Sequence, residues 1–421
     1  MARDSERCVR SIRFFPSRVT IARGSPDPHN RRAARIAATA MDIRKIAIVA
    51  TLTIAWAVPA LAAAPAPEMG RYKGHVATLA SAEFGGRRGA GAVKAAAYVE
   101  RELKQLGLQP VFGTSYVQEI PNSNTGGVLG RNIGAKIVGT DPKLRDEWIL
   151  VGAHFDHLGR AGTTYFPGAD DNASGVGMML EVARCLAQSD VKPRRSILFL
   201  GFDLEEDGLW GSRYFVEHSP IALDRVKLFV TADMIGRALG GVCKDFVFAF
   251  GAETSPGMKV IIDQASQGQP VNLGLIGNDL LMVDRSDYGP FRRLSIPYLF
   301  FSTGENPHYH RPSDRSDTLD YDKALAVTRI IHGIIRRAAD SDHLPPWNGK
   351  TEPSLDEAIA VRDVMKVLLA NREQLEIGPA VTLVLRSTLA KLEGIVIRGM
   401  VTPAERSQLV RAARVLMMTV L

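Results

Sequence analysis

Acidic and imidazole side chains stand directly after several apolar segments of this sequence. The segment 197–200 is continuously apolar, yet Glu205 and Glu206 follow within a few positions. His154 ends the apolar segment "WILVGAH", and Asp233 ends "VKLFVTAD". Carboxylates and imidazoles are the groups that bind hard or borderline metal ions and that transfer protons in catalysis. These positions are therefore the first candidates for a functional site.

Two more polar clusters belong to the same pattern. The loop "PGADDNASG" carries Asp170 and Asp171, and the segment "SIPYLFFSTGENPHYH" leads to His308 and His310. Each cluster alone has an ordinary explanation, such as a helix N-cap or a solvated loop. Ligands of open α/β sheets, however, bind at the carboxyl ends of the strands, so we expect all five places to meet at one edge. Carboxylates gathered there would repel each other unless cations neutralised them.

The residue types narrow the choice of metal. Two imidazoles with three carboxylates and no thiolate suit zinc first, with manganese or cobalt as weaker candidates. The three cysteines, Cys8, Cys185 and Cys243, contain no CxxC spacing, and an exported chain without Cys8 could form at most one disulfide. If one carboxylate bridges, the set would hold two metals about 3.5 to 4 Å apart.

Strand and helix patterns alternate through the central part of the chain. Apolar segments at "WILVGAH", "SILFLGFD", "VKLFVTADM" and "SIPYLFF" predict strands, and "GAVKAAAYVERELKQLG", "ASGVGMMLEVARCLAQS" and "YDKALAVTRIIHGIIRRAAD" predict helices. This alternation predicts an α/β fold with a mostly parallel, mixed central sheet and helices on both faces. We expect residues 65–345 to form the catalytic domain.

The last part of the chain, residues 350–421, is predicted to be a small helical appendage. It follows the break "SDHLPPWNGKTEP" and has expected turns near Gly378 and at "GMVTPAE". Thr402 can cap the last helix and Pro403 can open it. Because this region carries no catalytic constellation, we expect it to serve as a packing module.

The first 64 residues contain eleven Lys and Arg against four Asp and Glu, which accounts for the whole formal charge of +7. The charge therefore does not indicate a nucleic-acid partner. Residues 1–40 are predicted to be a disordered leader or a start-site artefact. Residues 41–64 have the basic start, apolar run and "ALA" pattern of a secretory signal peptide, which predicts a periplasmic or secreted protein with no stable membrane span after cleavage. An uncleaved anchor helix is the alternative.

Five motifs together resemble one enzyme family. "HFDHLG", "GADDNASG", "LEEDGLWGS", "TADMIG" and "YHRPSD" occur in the order and near the spacing seen in the co-catalytic zinc aminopeptidases. This family, metallopeptidase clan MH, includes secreted bacterial leucyl-type aminopeptidases, glutamate carboxypeptidases and glutaminyl cyclases. The resemblance covers roughly residues 86–340 and implies the zinc-aminopeptidase, phosphorylase-like fold.

The resemblance also implies a set of metal ligands for two zinc ions per chain. Asp171, the acid directly before Asn172, would bridge the two ions. One zinc would add His154 and Asp233, and the other would add Glu206 and His310. The predicted ligands are thus His154, Asp171, Glu206, Asp233 and His310.

Further roles follow from the same resemblance. The resemblance implies that Glu205 is the general base and that Asp156 is the carboxylate that orients the ring of His154. Tyr309 matches a family position whose phenol can polarise the substrate carbonyl. Substrate-binding positions are expected at the loop residues Ser286, Asp287 and Tyr288. Two imidazoles, His157 and His308, are left as pocket or structural residues because the ligand set is already full.

The function predicted from these motifs is that of an exported zinc exopeptidase that removes N-terminal residues from peptides. A carboxypeptidase of the same fold is an alternative, with Arg292 and Arg293 as a possible clamp for a substrate carboxylate. A glutaminyl cyclase would use one zinc, and the presence of His154 and Asp233 disfavours it. The third alternative is a catalytically inactive binding ectodomain, which the intact ligand set and Glu205 disfavour.

Overall fold

The computed structural model describes residues 65–280 and 284–420, with side chains through Arg414 in the last helix. The predicted leader and signal peptide therefore lie outside the described residues. Within the described part of the chain, no helix combines the length and the apolar character that crossing a membrane requires. Cys185 and Cys243 are both buried and do not form a disulfide with each other.

A nine-stranded mixed sheet forms the centre of the described structure. The strands in chain order are β1 Gln109–Pro110, β2 Val117–Pro121, β3 Val128–Ile137, β4 Trp148–His154, β5 Arg160–Ala161, β6 Thr164–Tyr165, β7 Ser196–Phe202, β8 Val226–Ala232, β9 Phe246–Phe250, β10 Asn272–Ile276 and β11 Tyr298–Ser302.

The order of strands across the sheet is β1-β3-β7-β4-β8-β11-β9-β10, with β2 paired to β3. The pairs β4–β7, β4–β8, β8–β11 and β9–β10 are parallel, whereas β3–β7 and β9–β11 are antiparallel. Strands β5 and β6 form a separate short hairpin.

Helices cover both faces of this sheet. They are α1 Met69–Leu79, α2 Ala90–Gln105, α3 Gly175–Gln188, α4 Trp210–Glu217, α5 Met258–Ser266, α6 Tyr288–Arg293, α7 Tyr321–Asp340, α8 Leu355–Ala370, α9 Pro379–Arg398 and α10 Pro403–Val420. The predicted fold class, a mostly parallel mixed sheet between helices with a helical C-terminal region, is confirmed.

Two apolar cores hold the helices on the two faces. Residues of α1, α2, α3, α5 and α7 pack in one core, and residues of α4, α6, α8, α9 and α10 pack in the other. Strand β7 supplies both, because Ile197 and Phe199 face the first core while Leu198 and Leu200 face the second. A strand buried on both faces needs a continuous apolar run, which explains the pattern of its sequence.

The sequence did not predict every element. The strands that were not predicted individually are β1, β2, β3, β5, β6, β9 and β10, and the helices are α1, α4, α5 and α6. Strand β11 begins at Tyr298 rather than at Ser295. Ser295 has a φ of 59°, and Pro297 lacks an amide hydrogen, so the segment before Tyr298 cannot join the sheet as regular strand. In the C-terminal region, Gly378 stands before α9, and the Thr402 hydroxyl accepts a hydrogen bond from the amide of Glu405 at 3.3 Å, as predicted for the cap.

The buried side chain of Arg87 connects the loop that follows β4 to the loop that precedes α3. Its side chain is fully buried, and its three guanidinium nitrogens all donate to backbone carbonyl oxygens at 2.5–3.1 Å. The acceptors are the carbonyls of Leu79, Phe155, Pro167, Gly168 and Asp171. Buried carbonyls must find donors, and one planar guanidinium satisfies five of them at once. The positions of His154 and Asp171 therefore depend on a side chain far from both in sequence.

We expect Arg87→Lys to lower the free energy of unfolding by about 2–5 kcal/mol, because an ammonium group cannot reach all five carbonyls and each unsatisfied one costs about 1–3 kcal/mol. Denaturant unfolding measures the change. Arg88→Lys is the matched control, since Arg88 pairs with Asp207 at the surface and its replacement should change stability by less than about 0.5 kcal/mol. Equal unfolding curves for the two variants would contradict the role assigned to Arg87.

Candidate metal centre

Two groups of metal-ligating side chains meet at the carboxyl ends of the parallel strands. The first contains His154, Glu205 and Asp233, and the second contains His157, Asp171 and Glu206. Within each group one donor atom per residue lies within 4.8 Å of the others. All the strand-end positions predicted to converge, together with His310, are thus brought to one edge of the sheet.

The distances from His154 to two carboxylates match the edges of a zinc coordination shell. Its Nε2 lies 3.5 Å from Asp171 Oδ1 and 3.4 Å from Asp233 Oδ2. For a tetrahedral zinc with bonds of about 2.0–2.1 Å, neighbouring ligand atoms stand about 3.3 Å apart. Both oxygens are therefore at the spacing from His154 Nε2 that ligands of one ion would have, and they are too far from it for strong direct hydrogen bonds.

The second set of contacts uses the other oxygen of Asp171. The Nε2 atom of His310 lies 3.1 Å from Asp171 Oδ2 and 3.2 Å from Glu206 Oε2. Asp171 thus presents Oδ1 to His154 and Oδ2 to His310. A carboxylate that faces two groups of donors in this way has the arrangement required of a bridging ligand.

The polar atoms left without partners also fit a metal site. Both ring nitrogens of His154 and the Oδ1 atom of Asp233 are buried and have no hydrogen-bond partner among the described residues. Such buried polar atoms are costly unless something binds them. Nitrogen and oxygen donors in this number suit zinc, so the residues present fit the metal that the motifs imply.

The pKa shifts of the titratable groups show that this site favours positive charge. Burial opposes protonation of His310, but the carboxylates of Asp171 and Glu206 outweigh it and raise its pKa to about 10. Burial alone would raise the pKa of Glu206, yet the imidazoles of His157 and His310 hold it well below its ordinary value. The pKa of Asp171 is raised by burial and by the charge of Glu206. A cation bound here would relieve this crowding of buried carboxylates.

Glu205 lies at the edge of the first group and has a different environment from Glu206. Its Oε2 atom is 4.0 Å from His154 Nε2. Burial raises the pKa of Glu205 well above its ordinary value, and the charges of Asp233 and Asp287 raise it further, against the opposing effect of His154. Two adjacent glutamates therefore differ in proton affinity, which is the condition for one to carry protons and the other to stay ionised.

Asp156 holds both glutamates through their backbone. Its Oδ1 accepts from the amide of Glu205 at 3.1 Å, and its Oδ2 accepts from the amide of Glu206 at 3.3 Å. Oδ1 also lies 3.5 Å from Nδ1 of His154, on the side where the orienting carboxylate was expected. The sequence did not indicate the contact with the glutamate loop, which makes Asp156 a link between two ligand loops.

His157 lies directly beside the ligand groups. The sequence predicts a pocket or structural residue here, and the Nδ1 atom of His157 lies 2.7 Å from Glu206 Oε1 and 3.9 Å from Asp171 Oδ2. The "HFDH" spacing, three residues after His154, was the available signal. His308, the other residue left aside, contacts Ser313 Oγ at 3.0 Å and lies outside both ligand groups.

A buried ion pair between Arg237 and Asp314 stabilises the loop that carries Asp171. Asp314 Oδ2 accepts from the amides of Asp170 and Asp171 at 3.0 and 3.2 Å. Its Oδ1 pairs with Arg237, whose nitrogens lie at 2.8 and 3.0 Å. The Asp170 carboxylate turns away and accepts from the amide of Gly236 at 2.7 Å, so of the two neighbouring acids only Asp171 belongs to a ligand group.

The backbone at several ligand positions adopts the left-handed conformation that L-residues rarely take. Leu204 precedes Glu205 with a φ of 58°, Met234 follows Asp233 with 57°, and His310 itself has 54°. Each such residue costs of the order of 1–3 kcal/mol. The surrounding contacts must therefore hold the ligand loops in place, which is typical of functional sites.

A cavity of about 280 Å³ opens beside the ligand groups. Asp171, Glu205, Glu206, Asp233 and His310 line one part of it, and Tyr309 lines it with its ring stacked on His310 at 3.8 Å between centroids. The remainder is mostly apolar. A substrate in this cavity would thus contact the metal ligands and an apolar surface together.

The substrate-loop residues lie behind this cavity rather than in its wall. Ser286, Asp287 and Tyr288 are fully buried, and none of them lines the cavity. Tyr288 stacks on Tyr298, with 5.0 Å between centroids, so its ring supports the core. The residue of this loop that lines the cavity is Arg285, and residues 281–283 of the same loop lie outside the described part.

The arginines considered as a carboxylate clamp are engaged elsewhere. Arg292 Nε lies 2.8 Å from Asp284 Oδ1, and Arg293 Nη1 lies 2.9 Å from Asp284 Oδ2. Neither lines the cavity. The expected support for a carboxypeptidase at these two positions is therefore absent from the site as the structure describes it.

Part of this chain is similar in sequence to known peptidases. The sequence pattern of peptidase family M28 matches residues 132–335. Aminopeptidase YwaD of Bacillus subtilis is 27% identical over 204 residues, which cover 47% of this chain and 42% of that protein. Leupeptin-inactivating enzyme 1 of Streptomyces exfoliatus is 29% identical over 250 residues, covering 56% and 50%. The chain thus spans about half the length of the curated relatives it matches.

Solved structures share the fold. LapB from Legionella pneumophila superposes with a TM-score of 0.52 at 21% identity, covering 65% of this chain and 72% of that one. The segment 132–335 that matches the family contains all five predicted metal ligands, His154, Asp171, Glu206, Asp233 and His310. Residues 132–335 of this chain are therefore similar in sequence to peptidase family M28.

Proposed function

We propose that this chain is an exported aminopeptidase that holds two zinc ions and hydrolyses N-terminal residues from peptides. The observation that carries the proposal is the position of Asp171, whose two oxygens face two separate groups of donors beside Glu205 and an apolar cavity. The curated relatives of the matched segment include proteins named as aminopeptidases, which supports the same class of reaction.

The ligands divide between the two ions according to their contacts. Asp171 Oδ1, His154 and Asp233 would hold one zinc, and Asp171 Oδ2, Glu206 and His310 would hold the other. Zinc bound there would supply Lewis-acid polarisation of a carbonyl and would lower the pKa of water from 15.7 to about 7. His157 would keep the Glu206 carboxylate in orientation through its hydrogen bond.

Glu205 is the residue proposed to move protons. It lines the cavity, its raised pKa favours proton uptake, and it carries no ligand role in this assignment. It would accept a proton from the attacking water and deliver it to the departing amine. Tyr309, at the same cavity wall, would donate a hydrogen bond to the oxygen of the scissile carbonyl.

The charge around the cavity favours a free amino terminus over a free carboxylate. Its charged lining includes five acids and one arginine besides His310, and that arginine, Arg285, is paired with Glu305. A substrate carboxylate would face this acidic lining even when zinc balances part of it, whereas an α-ammonium group would be attracted. The aminopeptidase is therefore the preferred member of the family's activities.

We expect the zinc-loaded protein to hydrolyse leucyl-p-nitroanilide and not its N-acetylated analogue. Removing zinc with a chelator should abolish the activity, and adding zinc should restore it. A glutaminyl peptide and a C-terminally free, N-acetylated peptide serve as controls for the cyclase and carboxypeptidase activities. Cyclisation of the first, or hydrolysis of the second without hydrolysis of leucyl-p-nitroanilide, would contradict the proposal.

The two adjacent glutamates should respond differently to the same substitution. Glu205→Gln removes the base and keeps the shape, so both zinc ions should remain while kcat falls by at least about 10²–10⁴-fold. Glu206→Gln removes a ligand, so zinc content should fall and part of the activity should return at high zinc concentration. Metal analysis beside turnover measures both effects. Loss of zinc in Glu205→Gln with full zinc in Glu206→Gln would reverse the assignment.

Export is the part of the proposal that rests on sequence alone. The pattern of residues 41–64 implies translation from Met41 and cleavage near Ala63. The intact mass of the natively produced protein should place its N-terminus within a few residues of Ala63. A mature species that retains Arg44 and Lys45 would exclude cleavage at this site.

A further inference from the structure

Part of the apolar lining of the cavity comes from residues outside the segment 132–335 that matches the family. Its apolar lining comes from strands β9, β10 and β11, from the loops that follow β8 and β10, and from helices α8 and α10. The family match ends at residue 335, whereas α8 begins at Leu355. The contributions of the C-terminal helices are Val361, Val364 and Met365 of α8 and Ala413 of α10.

We infer that these C-terminal helices determine substrate specificity by forming a wall of the pocket for the substrate's terminal side chain. The inference rests on the proposed function and extends it to the preferred residue. A cavity of about 280 Å³ lined by phenylalanine, isoleucine, leucine, valine and methionine side chains is suited to a large apolar or aromatic side chain. The region expected to be only a packing module is thus part of the substrate site.

The spacing within α8 explains how one helix supplies several wall residues. Val361, Val364 and Met365 stand at positions i, i+3 and i+4, so they share one face of the helix. Leu368 continues the same stripe and is fully buried, but it does not line the cavity. The cavity therefore meets only the first part of this stripe, and Leu368 packs in the core behind it.

Close packing holds α8 against the edge strand β10. A Cβ atom placed on Gly274 of β10 would lie 3.1 Å from the Cβ of Ala360, which is tighter than ordinary contact. At the start of the helix, Glu357 accepts a hydrogen bond from the amide of Gly277 at 2.8 Å. The helix is therefore fixed directly to the strand and loop that carry Ile276 and Leu280 into the cavity.

A partly buried ion cluster joins α10 to the same loop. Arg406 binds both oxygens of Asp279, at 2.6 and 2.7 Å, and also contacts Glu357 at 3.0 Å. Arg406 and Glu357 are both buried. Breaking the buried Arg406–Glu357 pair would be strongly destabilising, because it would leave a buried charge without a partner. The two helices and the loop 277–280 are thus clamped together, which gives the cavity a defined wall.

The test compares substitutions on α8 that do and do not line the cavity. Val364→Phe should lower the kcat/KM of the zinc-loaded full chain for phenylalanyl-p-nitroanilide relative to alanyl-p-nitroanilide by about tenfold or more, because it fills the pocket. Val367→Phe places the same change on the same helix outside the cavity lining and should leave that ratio unchanged. An unchanged ratio in folded Val364→Phe would overturn the inference.

A second pair of variants covers the case in which Val364→Phe does not fold. Met365→Ala enlarges the pocket and should raise the kcat/KM for tryptophanyl- relative to phenylalanyl-p-nitroanilide by about threefold or more. Leu368→Ala removes similar volume from the core behind the pocket and should lower stability without changing the ratio. Equal ratios in Met365→Ala and Leu368→Ala would overturn the inference.

A ligand-binding experiment distinguishes failure of the specificity inference from failure of the proposed aminopeptidase function. If the wild-type chain hydrolyses none of these substrates, the aminopeptidase proposal fails, and binding of 4-phenylbutylamine, measured by ligand-observed NMR, tests the pocket alone. This amine should bind the wild type and Val367→Phe equally and bind Val364→Phe about tenfold more weakly. Equal binding by all three, or no binding by the wild type, would contradict a pocket walled by α8.

Discussion

Repulsion among buried carboxylates is the constraint on which the rest of this structure depends. Asp156, Asp171, Glu206 and Asp233 are held within or beside one small volume at the carboxyl end of the sheet, and each of these side chains is 8% exposed or less. Such a cluster is stable only if cations or hydrogen-bond donors balance it. Imidazoles supply part of the balance, as the raised pKa of His310 shows, and the spacing of the ligand atoms leaves room for metal ions to supply the rest.

The scaffold meets this constraint by fixing the ligand loops through their backbones. Arg87 binds five carbonyls, Asp156 accepts from two amides of the glutamate loop, and Asp314 accepts from two amides of the Asp171 loop. None of these three side chains is a predicted metal ligand. Their hydrogen bonds hold the ligand loops in place, so the mutually repelling carboxylates stay close together without a rearrangement of the site.

The sequence was sufficient to predict the sheet strands that end in ligands, because an apolar run followed at once by acids is a local signal. It did not indicate β9 and β10, neither of which ends in a residue of the two ligand groups. It predicts His157 as a pocket or structural residue and gives no sign of its contact with Glu206, and it predicts Tyr288 at the substrate, whereas the ring is stacked in the core. Most of all, nothing in the helical pattern of residues 355–420 indicates that Val361 and Val364 line a cavity, since that depends on how the helices pack on β10.

The proposed two-metal site depends on Asp171 acting as a bridge between two ions. Crystals of the zinc-loaded protein, with anomalous diffraction recorded at the zinc absorption edge, test this most directly. We predict two anomalous peaks about 3.5–4 Å apart, one near each oxygen of Asp171. A single peak, or two peaks of which neither contacts Asp171, would contradict the account.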